Sequence, residues 1–583
     1  MKTEWNLQLL YQSIDDPQIE KDLKSIERSC TLFARRYRGK IKHLSSESSL
    51  LVALKEYDVL HEQASGARPL VYFFYCHELR SADALIEAKM NTAVARLTKV
   101  QNTITFFELD LGKITVSWRT RFLKSQKLQA YRYFLRQVFE KSRYHLSEEV
   151  EKALNLSVLP SHGMWIQAQE KYLNSQTIFW EGKQLPLSEA QDKVQGMPTE
   201  KRRVLSDEIF KVLRNVSSFA EAEINAVYTN KKIQDELRGF KEPYSATLLE
   251  YQNKEKEIMS MVQVVTDAFP LSHRFYRLKA KMLNLPHLEY ADRSAGVGSI
   301  EKKYPWEESV DLVRRAFSSA HEKYSNILDN YLGNGQIDVF PRLNKSSGAF
   351  CAGSTGNPTF VLLNHTGEIR SVTTLAHEMG HAFHTELSKT QSPMYQHYPY
   401  STAEVASTFF ENFVFEELLS KATDEEKIVL LHNKLNDEVA TIFRQIAFFN
   451  FEVELHHSIR ERGFVPKEEI AAMLNKHSAA YLGPLFRLKE NEGYFFLVVS
   501  HFRRFFYVYS YAYGSLISRA LYKRYKEDKN FLSSVEKFLS AGGSKAPAEI
   551  FKDIGIDTTH PEFFKEGLKS VEEDILRLEK LIK

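Results

Sequence analysis

The motif HEMGH begins at His377 and places a second histidine, His381, four residues later, with Glu378 directly after the first. Apolar residues recur at helical spacing on both sides of the motif, which predicts a helix. Four residues make about one helical turn, so both imidazoles project from one face, roughly 6 Å apart along the axis. Two ring nitrogens can then bind one zinc ion, and Glu378 can act as general base on a water at the metal.

A motif this short also arises by chance, about once in twenty chains of this length and composition. The alternative interpretation is a pair of partly solvated histidines on an amphipathic helix. A catalytic zinc normally has three protein ligands and a water, whereas a structural zinc has four protein ligands. The choice therefore depends on a third ligand elsewhere in the chain.

The histidine that follows the motif does not fit as that third ligand. His384 lies about 10 Å along the helix from His377, too far to share a tetrahedral ion easily. The metzincin extension of the motif also fails, because it requires a histidine at the position of Leu387.

A better candidate lies in the next predicted helix, which begins near Ser401. Glu404 and Glu411 are seven residues apart, so they share a face, and one could bind the metal while the other supports a histidine. Two alternatives stay open at this point. Ser401 and Glu404 also match a helix capping box, and Glu411 alone is more often a solvated carboxylate.

The rest of the sequence predicts a mainly α-helical protein. Segments such as 124–141, 199–227 and 247–283, the last with a break at Pro270, repeat apolar residues at three- and four-residue intervals. Between about residues 290 and 367, glycine, proline and short β-type runs predict a small sheet next to the metal helix.

The length of 583 residues exceeds what one simple core supports, so two or more lobes are expected. We place an N-terminal helical lobe at residues 1–195 and a catalytic domain at residues 196–583, with the boundary near Gly196 and Pro198.

The 78 basic and 75 acidic residues give a formal net charge of +3, which does not favour a nucleic-acid or membrane partner. Three widely separated cysteines form no disulfide framework and indicate a reducing compartment. The N-terminus lacks a signal-peptide pattern, and the most apolar stretch, residues 494–514, carries two arginines in its middle. A cytoplasmic location is expected.

Four sequence blocks follow one another between about residues 290 and 515. They are Asp338-Val-Phe-Pro-Arg342 with Lys345-Ser-Ser-Gly-Ala-Phe350, Thr374-Leu-Ala-His-Glu-Met-Gly-His381 with His384, Ala403-Glu-Val-Ala-Ser-Thr408 with Glu411, and His501-Phe-Arg-Arg-Phe-Phe-Tyr-Val-Tyr-Ser-Tyr-Ala-Tyr-Gly514. In order and spacing they resemble the oligoendopeptidase F group of the thimet oligopeptidase-like zinc metallopeptidases. The chain departs from that pattern at Phe410, Arg503 and Arg504.

The resemblance implies that Glu404 is the third ligand of one zinc ion per chain, with Glu411 and His384 supporting the site. It also implies a two-lobed helical body that encloses a deep channel for short peptides. It further implies that the segment Ser347-Gly-Ala-Phe350 forms an edge strand that pairs with the substrate backbone. The residues of this segment are Ser347, Gly348, Ala349 and Phe350. The alternative for this stretch is a buried strand with a glycine bulge.

The last block is expected to serve the transition state. In the family it stabilises the oxyanion and positions substrate, and imidazole or phenol donors suit that task. We assign the oxyanion role to His501 and Tyr511, and substrate contacts to Tyr507 and Tyr509. The alternative is that these tyrosines only pack.

The sequence thus predicts a zinc endopeptidase that cuts internal bonds of short peptides with metal-activated water and Glu378 as base. A zinc aminopeptidase and a helical peptide-binding protein with an inactive metal motif are the alternatives. We expect no nucleic-acid or membrane partner, and a monomer or a small homo-oligomer.

Overall fold

The computed structural model describes residues 1–583, apart from the side chains of Ser65, Lys152 and Leu159. It is 73% helical, which confirms the mainly α prediction. The helices are α1 (Pro17–Tyr37), α2 (Glu47–Ser65), α3 (Arg68–Leu79), α4 (Ala84–Ile104), α5 (Phe106–Gly112), α6 (Val116–Lys124), α7 (Arg132–Lys141), α8 (Glu148–Val158), α9 (Met164–Asn174), α10 (Leu187–Val194), α11 (Thr199–Asn215), α12 (Ser217–Arg238), α13 (Ser245–Glu250), α14 (Glu255–Asp267), α15 (Phe269–Met282), α16 (Trp306–Ala320), α17 (Glu322–Asn334), α18 (Ile369–Ser388), α19 (Tyr400–Lys421), α20 (Asp424–Glu438), α21 (Arg444–Arg462), α22 (Lys467–Leu482), α23 (Tyr509–Glu527), α24 (Leu532–Ser540), α25 (Pro547–Asp553) and α26 (Pro561–Ile582). Among the described residues, no helix combines the length and the apolar character needed to cross a bilayer.

The strands form two small sheets. They are β1 (Thr177–Trp180), β2 (Lys183–Pro186), β3 (Ile337–Asp338), β4 (Phe350–Ala352) and β5 (Phe360–Leu362). Strands β1 and β2 make an antiparallel hairpin. The second sheet has the order β3-β5-β4, with β3 parallel and β4 antiparallel to the central β5, so β4 is an edge strand. Helix α18 packs against β4 and β5, which confirms a small sheet beside the helix of the HEMGH motif.

The chain divides into two compact units, each assembled from separated segments. Unit 1 comprises Met1–His145, Lys302–Ser420 and Arg524–Gly555; unit 2 comprises Leu146–Glu301, Lys421–Lys523 and Ile556–Lys583. The lobe boundary near residue 195 and the channel stay predictions.

In unit 1 the N-terminal segment is fastened to the three-stranded sheet by Trp5. The Trp5 indole N–H donates to the Val361 carbonyl at 2.8 Å, and its ring packs edge-on against Tyr75, Phe350 and Phe360. Burying such a ring against apolar neighbours is strongly favourable, and its one polar atom is satisfied. The sheet that borders α18 is therefore continuous with the aromatic core of the unit.

A buried ion cluster holds the segment between β3 and β4. Asp338 is fully buried, accepts two hydrogen bonds from the Arg342 guanidinium at 2.6 and 2.9 Å, and lies 2.8 Å from Nζ of the buried Lys345. Although burial opposes it, these two cations lower the pKa of Asp338. The cluster fixes the approach of the chain to the edge strand.

Unit 2 contains several buried arginine–carboxylate pairs. Arg202 and Arg203 both bind Asp292, and Arg503 forms a two-point pair with Glu223. Arg503, which departs from the family pattern, is thus a structural residue. Its buried pair also accounts for a charge within the most apolar stretch of the sequence.

Several predicted boundaries are wrong for identifiable reasons. The helix predicted over residues 199–227 is two helices, because the backbone at Val216 (φ −95°, ψ 3°) leaves the helical region. The helix predicted from residue 124 begins only at Arg132. The break predicted at Pro270 falls two residues earlier, at Ala268, which leaves Pro270 in the first turn of α15. The predicted sheet region also contains α16 and α17.

The edge strand was predicted at residues 347–350 but spans Phe350–Ala352. Gly348 has φ +80°, outside the β region, so the chain bends there before entering the strand. The hairpin β1–β2 was missed, although Glu181 and Gly182, both with positive φ, form a two-residue turn between the paired residues Trp180 and Lys183.

We predict that Asp338→Asn destabilises the protein by about 3–5 kcal/mol, because it leaves Lys345 buried without a counter-ion. Thermal and urea unfolding measure the change. Asp311→Asn is the matched control, since Asp311 pairs with Arg314 at an exposed position and should change stability by less than about 0.5 kcal/mol. Equal effects of the two variants would contradict the role of the cluster.

Candidate active site

The HEMGH motif lies in the middle of α18, as the spacing predicts. The rings of His377 and His381 face the same side, with centroids 5.0 Å apart and nearly perpendicular planes. Glu378, between them in sequence, is buried. The helix thus presents two imidazoles and one buried carboxyl within a single turn and a half.

Gly380, inside the same motif, lets the next helix approach. A Cβ placed on Gly380 would lie 2.6 Å from Cα of Ser407 and 2.9 Å from the Ala406 carbonyl oxygen, both on α19. Only glycine permits backbones to come this close. The sequence reasoning missed this residue, and the signal available was a glycine in the middle of a predicted helix.

This approach brings Glu404 of α19 to the two histidines. Its Oε2 lies 3.4 Å from Nε2 of His377 and 3.7 Å from Nε2 of His381, and it accepts a hydrogen bond from Ser407 Oγ at 3.0 Å. The capping box does not form, because Ser401 is already inside the helix and its buried hydroxyl contacts neither end of such a box.

The donor set fits a divalent metal. One nitrogen from each of His377 and His381 and one oxygen of Glu404 lie within 4.8 Å of one another. Donors about 2.1 Å from a tetrahedral zinc lie about 3.4 Å apart, close to the two histidine–glutamate distances. Two imidazoles and one carboxylate leave a fourth position open, which is the pattern of catalytic rather than structural sites.

Helix α19 also supplies hydrogen-bond partners that orient both imidazoles. Glu411 Oε2 lies 3.2 Å from Nδ1 of His377, and the Ala403 carbonyl accepts a hydrogen bond from the ring of His381. Such partners fix the tautomer that presents Nε2 to a metal. The spacing predicted that either Glu404 or Glu411 would support a histidine, and the family resemblance implied that it is Glu411. A backbone carbonyl carries no sequence signal.

The electrostatics of the metal-free site show competing charges. Although burial opposes it, hydrogen bonds to Glu404 and Glu411 raise the pKa of His377. Burial, reinforced by the charge of His377, lowers the pKa of His381 to about 4. Hydrogen bonding to His377 outweighs burial and lowers the pKa of Glu404 to about 2. A cation bound by all three donors would relieve this competition.

Glu378 links the helix to the edge strand. Burial, and then the negative charge of Glu404, raise the pKa of Glu378 to about 7. The carboxyl group accepts a hydrogen bond from the backbone N–H of Cys351 in β4. In this ladder Val361 of β5 bonds toward β3, so its partner Cys351 directs its backbone groups to the free edge. The carboxyl group of Glu378 therefore lies at the open side of β4.

The predicted substrate-binding segment runs along the same edge. Ser347 and Gly348 are exposed, Ala349 and Phe350 are partly exposed, and Asn364 anchors the bend through its side-chain N–H bond to the Gly348 carbonyl at 2.8 Å. The segment is thus held in place without being covered.

His384 has a different environment from the one expected. It is 1% exposed, and its ring stacks on Tyr398 at 3.5 Å with a 4° interplanar angle. Burial, and then the charge of His381, lower its pKa far below the usual range. The ring is a neutral packing element beside the metal donors.

The last sequence block lies in unit 2 and forms an aromatic cluster. Nε2 of His501 lies 3.1 Å from the hydroxyl oxygen of Tyr511, and the ring of Tyr507 stacks on His501 at 5.6 Å. Burial, and then the charges of Arg504 and Arg444, lower the pKa of His501, so the imidazole is neutral at pH 7.

Tyr509, by contrast, is completely buried, and its hydroxyl donates to Asn253 Oδ1 at 2.9 Å. A buried phenol with an internal partner does not fit the predicted substrate contact. Tyr509 and Tyr511 are two residues apart on α23 and therefore lie on different faces of that helix, so Tyr509 is in the core while Tyr511 is partly exposed.

Comparison with known proteins agrees with the fold. Residues 211–570 match the family model described as Peptidase family M3, and residues 119–171 match one described as Oligopeptidase F. Because the first match covers more than half of the chain, the chain belongs to peptidase family M3, and it is a metalloendopeptidase.

Individual relatives are distant but extend over most of the chain. An oligoendopeptidase F homolog from Lactococcus lactis is 24% identical, covering 100% of this chain and 97% of that protein. An oligoendopeptidase F homolog from Borreliella burgdorferi is 27% identical over 79% of this chain and 80% of its own length. The crystal structure of oligoendopeptidase-F from Enterococcus faecium superposes with a TM-score of 0.70 at 21% identity, covering 97% of each chain. The resemblance seen in the sequence is confirmed.

We predict that Gly380→Ala lowers metal affinity by about tenfold or more, because the new methyl pushes α19 and its donor Glu404 away from α18. Overpacking should also destabilise the protein by about 1–3 kcal/mol. Competition with a chromophoric chelator for Zn²⁺, together with thermal unfolding, measures both. Gly333→Ala in α17, where an added Cβ meets nothing within 4 Å, is the control and should be neutral or slightly stabilising. Unchanged metal affinity in Gly380→Ala would exclude this account.

We also predict that Glu411→Ala lowers metal affinity by about 10–100-fold, since His377 loses the acceptor that orients it. Glu411→Gln keeps a hydrogen-bond acceptor but loses the charge, so its metal affinity should lie between those of the unaltered protein and Glu411→Ala. Glu417→Ala, on the same helix, removes the same charge away from the histidines and should not change the affinity. The same chelator competition tests all three variants, and an identical result for Glu411→Ala and Glu417→Ala would refute the role.

Proposed function

We propose that this chain is a zinc-dependent endopeptidase that hydrolyses internal bonds of short peptides. In this proposal His377, His381 and Glu404 hold one zinc ion, and Glu378 is the general base. The observation that carries it is the convergence of these three donors within 4.8 Å beside a buried carboxyl group. Family membership supports peptide hydrolysis, and the curated relatives named oligoendopeptidase F support internal cleavage of oligopeptides.

Zinc held by these donors would polarise the scissile carbonyl and acidify a water molecule. Glu378 takes the proton of the attacking water on its carboxylate and later delivers it to the departing amine. A carboxyl group whose pKa is raised by burial is suited to both steps, because it accepts and returns a proton near neutral pH. The Cys351 N–H holds this carboxyl group in one orientation.

The free edge of β4 is the proposed binding strand for the substrate. An extended peptide can pair with exposed backbone groups of an edge strand, which recognises peptide backbone without selecting side chains. Glu378 lies at that edge, so a peptide paired there would run past the general base. The exposed segment 347–349 would extend the contact.

His501 and Tyr511 are the proposed donors to the oxyanion, with Tyr507 contacting substrate. The tetrahedral intermediate carries negative charge, and preorganised neutral donors stabilise it without adding a charge to the ground state. The mutual contact of His501 and Tyr511 supports this role, because each ring fixes the other. Tyr507 restricts His501 further by stacking on it.

Exopeptidase action and peptide binding without turnover, the alternatives offered by the sequence, predict different products. An aminopeptidase releases single residues in sequence, and a binding protein releases none. A cytoplasmic location, a monomer or small homo-oligomer, and the absence of nucleic-acid and membrane partners complete the proposal.

We predict that Glu378→Gln retains zinc but loses turnover by about 10²–10⁴-fold, since the base is removed while the ligands stay. An internally quenched peptide measures the rate, mass spectrometry identifies the products, and metal analysis measures bound zinc. Chelation should abolish cleavage by the unaltered protein, and added zinc should restore it.

Glu386→Gln on the same helix is the matched control, because Glu386 bonds to Tyr331 and Lys389 rather than to the metal donors. Full activity in Glu378→Gln would overturn the general-base role. Release of single N-terminal residues would favour the aminopeptidase, and no cleavage by zinc-loaded protein would favour the binding protein.

A further inference from the structure

The contact between His501 and Tyr511 depends on a turn of the chain between them. The two residues are ten positions apart, which in one continuous helix would separate them by about 15 Å along the axis. They meet because His501 lies in the 3₁₀ segment Ser500–Arg504, Tyr511 lies in α23, and the chain changes direction between these elements. The turn therefore determines whether the two side chains are in contact.

This turn contains two consecutive residues with a left-handed backbone conformation. Phe505 has φ +36° and Phe506 has φ +61°. Positive φ brings the Cβ atom close to a carbonyl oxygen, and for bulky residues other than glycine it is rare. Such conformations persist only where surrounding contacts enforce them, and they concentrate at functional sites. The turn must therefore be held by its neighbours in unit 2.

The aromatic rings of the turn provide part of that restraint. The Phe506 ring is completely buried and packs against Phe449 at 5.4 Å and His456 at 5.0 Å, both on α21. Phe505 packs against His456 at 5.7 Å, and its carbonyl oxygen accepts a hydrogen bond from Thr247 Oγ1 at 2.9 Å. Because apolar packing is not directional, the rings alone do not select the backbone conformation.

Glu452 of α21 supplies a directional contact to the same turn. Its Oε1 accepts a hydrogen bond from the backbone N–H of Phe506 at 2.9 Å, and the whole side chain is buried. A buried backbone N–H requires an acceptor, and here a helix distant in sequence provides it. The acceptor thus belongs to a regular element rather than to the loop that it restrains.

The turn uses an acceptor oxygen of Glu452 rather than a negative charge. The second oxygen, Oε2, is buried and bonds to none of the described residues. Burial, which outweighs the hydrogen bond from Phe506, raises the pKa of Glu452 to about 8, so the carboxyl group holds its proton at pH 7. A glutamine would offer the same acceptor in a side chain of the same shape.

Helix α21 also supports the beginning of the block. Phe502, directly after His501, packs against Phe448 at 5.2 Å and Phe451 at 4.8 Å. The helix therefore contacts the chain before the turn as well as within it. It is a common support for the element that carries His501 and for the turn that leads to Tyr511.

We propose that Glu452 is a positioning residue for the peptidase reaction, because its bond to the Phe506 N–H holds the turn that brings Tyr511 to His501. The inference rests on the proposed function, in which these two side chains stabilise the oxyanion. Preorganised donors act only in the correct orientation, and a displacement of about 1 Å can lower a rate by about 100-fold. Glu452 acts through the backbone and not on the substrate.

The first test compares two substitutions of Glu452. Glu452→Met removes the acceptor and keeps a buried side chain of similar size, whereas Glu452→Gln keeps the acceptor. We expect Glu452→Met to lower kcat by about 10–100-fold and to change KM by less than about twofold, because an interaction of the transition state is lost. Glu452→Gln should retain kcat within about threefold.

An internally quenched peptide gives both constants, and metal analysis should show the same zinc content in both variants. Glu461→Met is the matched control, since Glu461 lies at an exposed position of the same helix and should leave both constants unchanged. Where thermal unfolding shows that Glu452→Met does not fold, Glu452→Asp replaces it. That variant withdraws the acceptor by one methylene group, and the same outcomes apply.

The second test determines whether Glu452 acts through Tyr511. Tyr511→Phe should lower kcat, and adding Glu452→Met to it should lower kcat by less than about threefold more, because the positioned hydroxyl is already absent. Fluorine NMR of 3-fluorotyrosine incorporated in place of Tyr511 measures its environment without turnover. The chemical shift should move in Glu452→Met and return in Glu452→Gln.

Unchanged kcat in Glu452→Met, an equal loss in Glu452→Gln, or full multiplication of the Glu452→Met and Tyr511→Phe losses would each overturn the inference. So would a fluorine shift that Glu452→Met does not move. If the unaltered zinc-loaded protein cleaves no peptide, or if Tyr511→Phe and His501→Ala both retain full kcat, the proposed function fails instead. The fluorine shift then decides by itself whether Glu452 holds Tyr511 in place.

Discussion

The close approach of α18 and α19 at Gly380 is the constraint on which the candidate site depends. Helix α18 supplies two imidazoles by its own periodicity, but a metal needs a third donor from another element. The absence of a side chain at Gly380 lets α19 come within contact of the α18 backbone. That one approach delivers Glu404 to the histidines, and with it Glu411 and the Ala403 carbonyl behind them.

The same approach concentrates charge. Glu404, Glu411 and Glu378 lie around two partly buried histidines, and in the metal-free protein hydrogen bonds to Glu404 and Glu411 raise the pKa of His377. Because a metal ion balances the same charges more effectively, metal binding and the integrity of this part of unit 1 are coupled. The sheet contributes from the other side, since the Cys351 N–H donates a hydrogen bond to the carboxyl group of Glu378.

The sequence was sufficient for those features that depend on local periodicity. The motif helix and the shared face of Glu404 and Glu411 on the next helix follow from spacing, whereas the separate roles of the two glutamates came from the family resemblance. Features that depend on tertiary approach were missed or displaced. Gly380 lies within the motif, but nothing in the motif reveals which helix packs against it. Likewise, an alternating pattern of residues does not predict the positive φ of Gly348, which shifts the start of the edge strand to residue 350.

Unit 2 accommodates buried guanidinium groups by pairing them with carboxylates. Arg503 with Glu223 and Arg519 with Asp574 are pairs of buried side chains. Because a guanidinium buried without an anion costs free energy, each carboxylate is needed where its arginine lies inside the unit. Arg503 shows the consequence for sequence-based prediction. Its place in the most apolar stretch depends on Glu223, 280 residues away, and no local pattern reveals that partner.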